Sequence, residues 1–337
     1  MNSKICEKLG IEFPLFAFSH CRDVVVAVSK AGGMGVFGAV NLSPEALDVE
    51  LRWIDEQLQG LPYGVDLIVP NSFESKGEQV SEAALLARVP QGHKDFVNAL
   101  LDEYGVESED LEAGRTQFLR FQQNMTPEGA KAALDVAFAH PIALIVNALG
   151  VPPQSMIDKG KEQGVSVGAL VGARDHAAAQ VAAGCDVLIV AGGEAGGHCG
   201  DVSTMVLVPE VVQTVGDNPD VAILAAGGIA TGTQMAGAMA MGADGAWCGS
   251  VWLTTAEAET SPVVKEKMLA ASSRDTVRSR SRTGKPSRQL RSPFVDAWEQ
   301  EGSPQPLPMP LQSLVAEPAL QKLDRLAGSH EGAAALS

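Results

Sequence analysis

The sequence predicts an α/β protein built as a (β/α)8 TIM barrel, with a helical insertion after its third strand and a C-terminal tail that wraps the barrel. Three observations predict it. Short apolar runs alternate with alanine-rich amphipathic runs, and eight such strand–helix pairs fit in the chain. The apolar runs are near-continuous, which is the pattern of strands buried on both faces in a parallel sheet. The glycine-rich turns cluster late, after the sixth, seventh and eighth runs, whereas a doubly wound dinucleotide fold carries its glycine fingerprint after the first.

Taken in order, the strands are expected at residues 13–18, 34–39, 63–69, 142–149, 165–171, 187–191, 221–226 and 246–253. Helical patterns follow them at 23–30, 44–59, 127–139, 154–163, 173–183, 206–215, 231–241 and 262–271. The rhythm breaks once, between the third strand and its helix. Residues 70–126 form an excursion of about 55 residues, and long insertions in compact folds are usually functional. It contains helical stretches at 79–89 and 94–104. An excursion at the C-terminal end of a barrel strand sits over the active site, so it reads as a lid or specificity subdomain; a surface decoration or a dimer contact is the alternative. The expected division is a barrel from 1–69 and 127–337, with 70–126 as the lid. The tail 274–337 is rich in Pro and polar residues and is expected to wrap the barrel rather than form a domain.

Composition limits the partners. The chain has 337 residues, 45% hydrophobic and 20% charged, enough for a sizeable core. A net charge of −16 argues against nucleic acid or an anionic membrane surface as the main partner. The five cysteines, at 6, 21, 185, 199 and 248, have no CxxC and no metal-ligand spacing, so reduced thiols in the cytoplasm and no metal are expected. The N-terminus lacks a basic-then-apolar leader pattern. No apolar run reaches the roughly 18 residues of a membrane span. Monomer and homodimer both stay open.

The chemistry concentrates in Ala191-Gly-Gly-Glu-Ala-Gly-Gly-His-Cys-Gly200, which follows the buried run Asp186-Val-Leu-Ile-Val190. Glycine lets a backbone approach a flat or phosphorylated ligand closely. A histidine in such a loop can move a proton near neutral pH. In barrels the phosphate site is commonly built by the loops after strands seven and eight. Here those loops read Ala225-Ala-Gly-Gly-Ile229, with Thr231-Gly-Thr opening the next helix, and Cys248-Gly-Ser250. Backbone N–H groups and a helix N-terminus make an anion site without a lysine.

These residues resemble the nitronate monooxygenase (2-nitropropane dioxygenase) family of flavin mononucleotide barrels, related to the flavin-dependent enoyl-acyl-carrier-protein reductases and NADH:quinone reductases. The marks span nearly the whole chain: Ala27-Val-Ser-Lys-Ala-Gly-Gly-Met-Gly35, Gly64-Val-Asp66, Gly184-Cys-Asp186, Glu194-Ala-Gly-Gly-His198, Ala226-Gly-Gly-Ile229 and Met241-Gly-Ala-Asp244. The Glu-Ala-Gly-Gly-His element is the specific one. The resemblance implies FMN as cofactor. Its phosphate would lie on Gly227, Gly228, Gly249 and Ser250, and its ring over the barrel mouth against Ala17 and Phe18. Asp66, Asn147 and Ala169 are implied ring or ribityl contacts, with Gly192 and Gly193 passing near them. His198 is the implied catalytic base or anion-binding group for a nitroalkane or nitronate, with O2 as co-substrate. An NAD(P)H-dependent reductase of enoyl thioesters or quinones, and a flavin- or phosphate-binding protein without turnover, are the alternatives.

Departures from the family bear on the substrate. Asp66 stands where the family usually has Asn; a carboxylate beside a flavin disfavours the reduced anion unless burial protonates it. Gly249-Ser-Val-Trp252 stands where Gly-Thr-Arg-Phe is common, which removes a cation near the phosphate. The strand-three insertion also exceeds the common pattern. Of the remaining polar residues, His20 follows strand one on the predicted site face and is a candidate substrate contact. Glu194 is either a second acid–base group or a loop anchor. His140 and His176 read as capping or surface residues. Cys199 lies beside a base, as a nucleophile would, but its surroundings do not match the cysteine loop of IMP-dehydrogenase-like barrels. The cluster Arg274, Arg278, Arg280, Arg282, Lys285, Arg288 and Arg291 reads either as a site for a carboxylate or coenzyme A phosphate or, more simply, as surface charge paired with acids elsewhere.

Overall fold

The computed structural model describes residues 3–40, 42–69, 82–122 and 127–337. The chain divides into two compact units, Met1–Glu74 with Gln123–Glu259, and Ser75–Gln122 with Thr260–Ser337.

The first unit is a closed barrel of eight parallel strands. They are β1 (Leu15–Ser19), β2 (Met34–Gly38), β3 (Gly64–Leu67), β4 (Leu144–Asn147), β5 (Ser166–Val171), β6 (Val187–Ala191), β7 (Ala222–Ala226) and β8 (Gly245–Cys248). Each pairs with its sequence neighbour, and β8 closes on β1 with Phe16 opposite Trp247. Successive side chains alternate between the faces of a strand, which creates two layers. Phe16, Met34, Val36, Ile189, Leu224 and Trp247 fill the barrel interior. Phe37, Val65, Ile145, Leu188, Val190 and Ile223 face outward into a second cluster with the helices. Both layers are apolar, which is why the strands read as unbroken hydrophobic runs.

The interior cluster also takes Ile5, Cys6 and Leu9 of α1 (Lys4–Leu9). Lys4 and Lys8 of α1 pair with Asp244 and Asp186, the residues just before β8 and β6, so α1 covers the N-terminal end of the barrel. The outer helices are α2 (Arg22–Lys30), α3 (Pro44–Leu58), α7 (Pro127–Ala137), α8 (Gln154–Gln163), α9 (Arg174–Ala183), α10 (Thr204–Val215) and α11 (Gly232–Ala240). Gly35 lets β2 meet α2, since a Cβ there would overlap the main chain of Val25.

Three expectations for the barrel are corrected. The eighth strand stops at Cys248 instead of continuing to 253. A 3-10 turn over Ser250–Thr254 follows, fixed by Trp252 Nε1 donating to the Cys248 carbonyl at 2.8 Å. The helix expected at 262–271 exists as α12 (Pro262–Ala270), but it belongs to the second unit and buries no residue completely. His140, expected in a capping or surface role, is half-buried with its side chain 7% exposed: Nδ1 bonds Asp55 at 2.6 Å and Nε2 bonds Asp48 at 3.1 Å, both acids lying on α3.

The second unit is helical. It holds α4 (Glu82–Ala87), α5 (Gln91–Glu103), α6 (Leu111–Gln122), α12, an antiparallel hairpin of β9 (Thr276–Ser279) and β10 (Ser287–Leu290), α13 (Pro293–Glu299), α14 (Leu311–Leu326) and α15 (Glu331–Leu336). Val97, Leu101, Phe294, Trp298, Leu314 and Leu323 share one core. From Thr260 onward the tail is therefore part of a compact unit and not an unstructured extension. It packs with the insertion helices, because α14 presents Leu311, Leu314, Val315, Ala319 and Leu323 at helical spacing. Of the insertion, 70–81 and 123–126 lie outside the described residues, and the helix expected at 79–89 is seen from Glu82.

Candidate functional site

Catalytic residues of such barrels sit at the C-terminal ends of the strands. The loop after β6 is a tight turn: Gly192 N–H donates to Ala226 O at 3.2 Å, Gly193 N–H to Val202 O at 2.7 Å, and Ala195 N–H to Gly192 O at 3.0 Å. The two glycine N–H groups expected near a ligand are thus taken by the protein. Gly192 has another reason to be glycine: a Cβ would overlap the main chain of Thr204.

Glu194 is a loop anchor. Its Oε2 accepts from Thr204 N–H at 2.8 Å and Thr204 Oγ1–H at 2.9 Å. This sets a carboxylate on the first residue of α10, where the helix dipole favours negative charge. Gly227 and Gly228, at the end of β7, have φ of +98° and +72°, conformations natural to glycine. A Cβ on Gly227 would come within 2.8 Å of Thr204 Oγ1, and one on Gly228 within 3.0 Å of Glu194 Cβ. Any side chain at Gly196 would run into Ser250 Oγ. The loops after β6, β7 and β8 therefore meet one another. α11 opens from this junction with a complete capping box between Thr231 and Gln234, and Gln234 Nε2 donates to Gly228 O at 2.8 Å. The α11 N-terminus and Ser250 are exposed, and Gly249 is half-buried.

On the inner wall, Phe16, Trp247 and Phe18 stack upward with ring centroids 6.2 and 6.1 Å apart. The exposed His20 ring stands edge-on to Phe18 at 5.2 Å. Its Nδ1 lies 2.6 Å from Gly38 O. A carbonyl only accepts, so Nδ1 carries the hydrogen and Nε2 is the nitrogen left to take a proton. Asp66 faces inward on β3, opposite Gly38 of β2 and Val146 of β4, and is 2% exposed. Burial raises its pKa well above the usual carboxylate value.

The other implied ring contacts do not converge through their side chains. Ala17 and Ala169 point outward into packed clusters. Asn147 also points outward, and its amide is consumed: Oδ1 accepts from Val69 N–H at 2.9 Å, while Nδ2 donates to Val69 O at 3.1 Å and Leu149 O at 3.0 Å. These three residues offer the barrel mouth only main chain. His198 is exposed in a two-residue extended segment after Gly197, whose φ is +79°. Burial pushes the thiols of Cys185 and Cys248 up to about 12 and about 11, which keeps them un-ionised.

The basic cluster lies in the second unit. Arg282 clamps Glu317 with two bonds, Arg291 bonds Asp296, and Arg280 bonds Gly284 O, so part of it is structural charge pairing. Sequence reasoning missed Thr204 and Gly38. The Thr231-x-x-Gln234 capping pattern was legible in principle; Thr204 and Gly38 carry no local signal, because their roles depend on loops distant in sequence.

The sequence profile described as Nitronate monooxygenase matches residues 2–336. The chain belongs to the nitronate monooxygenase family. A candidate monooxygenase of Mycobacterium tuberculosis is 51% identical over 332 residues, covering 97% of this chain and 86% of that one. The "Probable nitronate monooxygenase" of Staphylococcus saprophyticus is 28% identical, covering 88% and 80%. Among solved structures, FabK from Thermotoga maritima is similar at 26% identity with a TM-score of 0.69, covering 99% of this chain and 90% of that one. The nitroalkane oxidase of Streptomyces ansochromogenes shares the fold at a TM-score of 0.76 and 22% identity. As a member of the nitronate monooxygenase family the protein is an oxidoreductase. Among the described residues no helix is long and apolar enough to cross a membrane.

Proposed function

We propose that this nitronate monooxygenase family member is an FMN-dependent enzyme that oxidises alkyl nitronates or nitroalkanes with O2. The observation that carries the proposal is the meeting of the loops after β6, β7 and β8 at the same end of the barrel as an inward-facing acid on β3. The residues fit the cofactor. Gly227 and Gly228 have no side chains to fill the cradle, the N-terminus of α11 adds a positive dipole end, and Ser250 adds a hydroxyl, which together suit a phosphate. Phe18 and Asp66 on the inner wall give a flat ring an apolar face and a polar contact. Gly249 and the main chain at Ala17, Asn147 and Ala169 complete the proposed cradle. The turn at Gly192 and Gly193 supports it from behind.

When bound, FMN supplies the electron transfer and the reaction with O2. The protein's part is to orient and to move a proton. His198 takes the α-proton of a neutral nitroalkane, leaving its bonding pair on the substrate as the nitronate, or binds a nitronate already formed. His20, with Nε2 free to accept, is placed to contact substrate. Glu194 holds the loop that carries His198. The substrate is a small molecule, O2 is the co-substrate, and a cytoplasmic setting with either a monomer or a homodimer suits the chemistry.

The 26% identity to FabK supports a second reading, an NAD(P)H-dependent reductase of the same fold. His198→Asn separates the two. On the oxidase reading the variant keeps its flavin and loses turnover of neutral nitroalkanes. A variant that keeps nitroalkane turnover overturns the role of His198. If wild type and variant take hydride from NADH equally and neither turns over nitronate, the protein is a reductase.

A further inference from the structure

Inward-facing positions of the barrel strands are apolar or small, with one ionisable exception. Asp66 is that exception among the described residues. Its two strand neighbours at the same level are Gly38 and Val146. Neither brings a charge, and no lysine or arginine occupies an inward position. Among the described residues, the titratable group seen to border this spot is the His20 ring, which fills the space a side chain on Gly38 would need, with Cε1 and Nδ1 2.8 Å from the ideal Cβ position. The His20 Nδ1 hydrogen already goes to Gly38 O.

Asp66 Oδ1 is buried and has no hydrogen-bond partner among the described residues. An ionised carboxylate there would be largely desolvated, with no counter-charge on the neighbouring strand positions, which is costly enough that such groups neutralise instead. A neutral carboxylic acid has a different requirement: its O–H needs an acceptor.

We propose that Asp66 is held as an un-ionised carboxylic acid, and that its hydroxyl donates a hydrogen bond to an acceptor atom on the ring system bound at the barrel mouth. The proposal rests on the FMN reading above and adds what that reading leaves open: which way the hydrogen bond at β3 points. The site selects for an acceptor there and against a second donor. Asp66 is a binding residue, with no proton transferred from it in the reaction.

The test uses holoenzyme, with wild type, Asp66→Asn and Asp66→Leu compared at pH 8. The first readout is the infrared carbonyl stretch of a protonated carboxyl, assigned by labelling aspartate with 13C. It is expected in wild type, retained in His20→Gln, and absent from Asp66→Asn. The second readout is flavin affinity. Asp66→Asn, which keeps a donor of the same shape, is expected to bind FMN within a few-fold of wild type, and Asp66→Leu to bind it about tenfold more weakly, the loss of one buried hydrogen bond. Only carboxylate bands in wild type, loss of the band in His20→Gln, or Asp66→Asn losing flavin as fully as Asp66→Leu would each overturn the proposal. A wild-type protein that takes up no flavin defeats the FMN reading instead, and the protonated-carboxyl band in that protein still decides the state of Asp66.

Discussion

Glu194 reaches across its own loop to cap the helix that follows: one carboxylate oxygen accepts both the main-chain N–H and the hydroxyl of Thr204, at 2.8 and 2.9 Å. The same Thr204 hydroxyl lies 3.2 Å from Ala226 O and 3.0 Å from Gly227 O, so one residue ties the ends of β6 and β7 to the start of α10. Glu194→Ala removes a charge-assisted pair of bonds at a helix N-terminus and should lower stability by about 1–3 kcal/mol. Thermal unfolding measures the loss. The pH profile of nitroalkane turnover should keep its shape; disappearance of one of its limbs would make Glu194 an acid–base group.

Replacing Gly227 and Gly228 together by Val forces two side chains into positive-φ positions facing Thr204 and Glu194. The variant should purify with its flavin lost. Circular dichroism checks that the barrel persists, and Gly237→Ala, on α11 with nothing within 4 Å of its Cβ position, should retain flavin as a control. Normal FMN content in the double variant would refute the phosphate site.

Asp66 makes stability depend on pH in a stated direction. Its folded-state pKa is raised by burial, while the unfolded chain has the ordinary value of about 4. Below that value both states are protonated and the group costs nothing. As pH rises the unfolded chain ionises first and binds fewer protons, so stability falls until the folded pKa is reached. Asp66→Asn should therefore be more stable than wild type at neutral pH, with the difference vanishing near pH 4. Chemical denaturation across pH 4–8 measures it.

In the second unit, Pro318 lies inside α14 and lacks the N–H that would bond Leu314 O. Arg115 Nε supplies that bond at 3.2 Å, from a side chain 1% exposed that also pairs with Glu112 at 2.6 Å. Arg115→Met should cost about 1–3 kcal/mol by leaving the carbonyl unpaired. Adding Pro318→Ala restores an N–H and should recover part of that loss. Additive losses in a double-mutant cycle would deny the coupling.

These residues also mark what the sequence can and cannot say. The barrel was legible because both faces of its strands are apolar and the helices between them are not. The phosphate-side loops were legible because glycines at 192, 227 and 228 are demanded by close approach and positive φ. Which residues at a strand end face the mouth was not legible. A one-residue step reverses the face, so Phe18 and Asp66 point in while Ala17 and Asn147 point out. That the tail forms part of a compact unit was not legible, because prolines at 304, 306, 308 and 310 hide a 16-residue helix just after them. Its partner Arg115 is 199 residues from Leu314, a distance no local pattern spans.

On the proposed function, the site oxidises nitronates through a bound flavin. The most direct measurement is to mix the purified yellow protein anaerobically with an alkyl nitronate and, separately, with NADH, and to follow the flavin absorbance. Bleaching by the nitronate that reverses on admitting air is the predicted result. Bleaching by NADH alone, with no response to nitronate, would contradict the claim and make the protein a reductase.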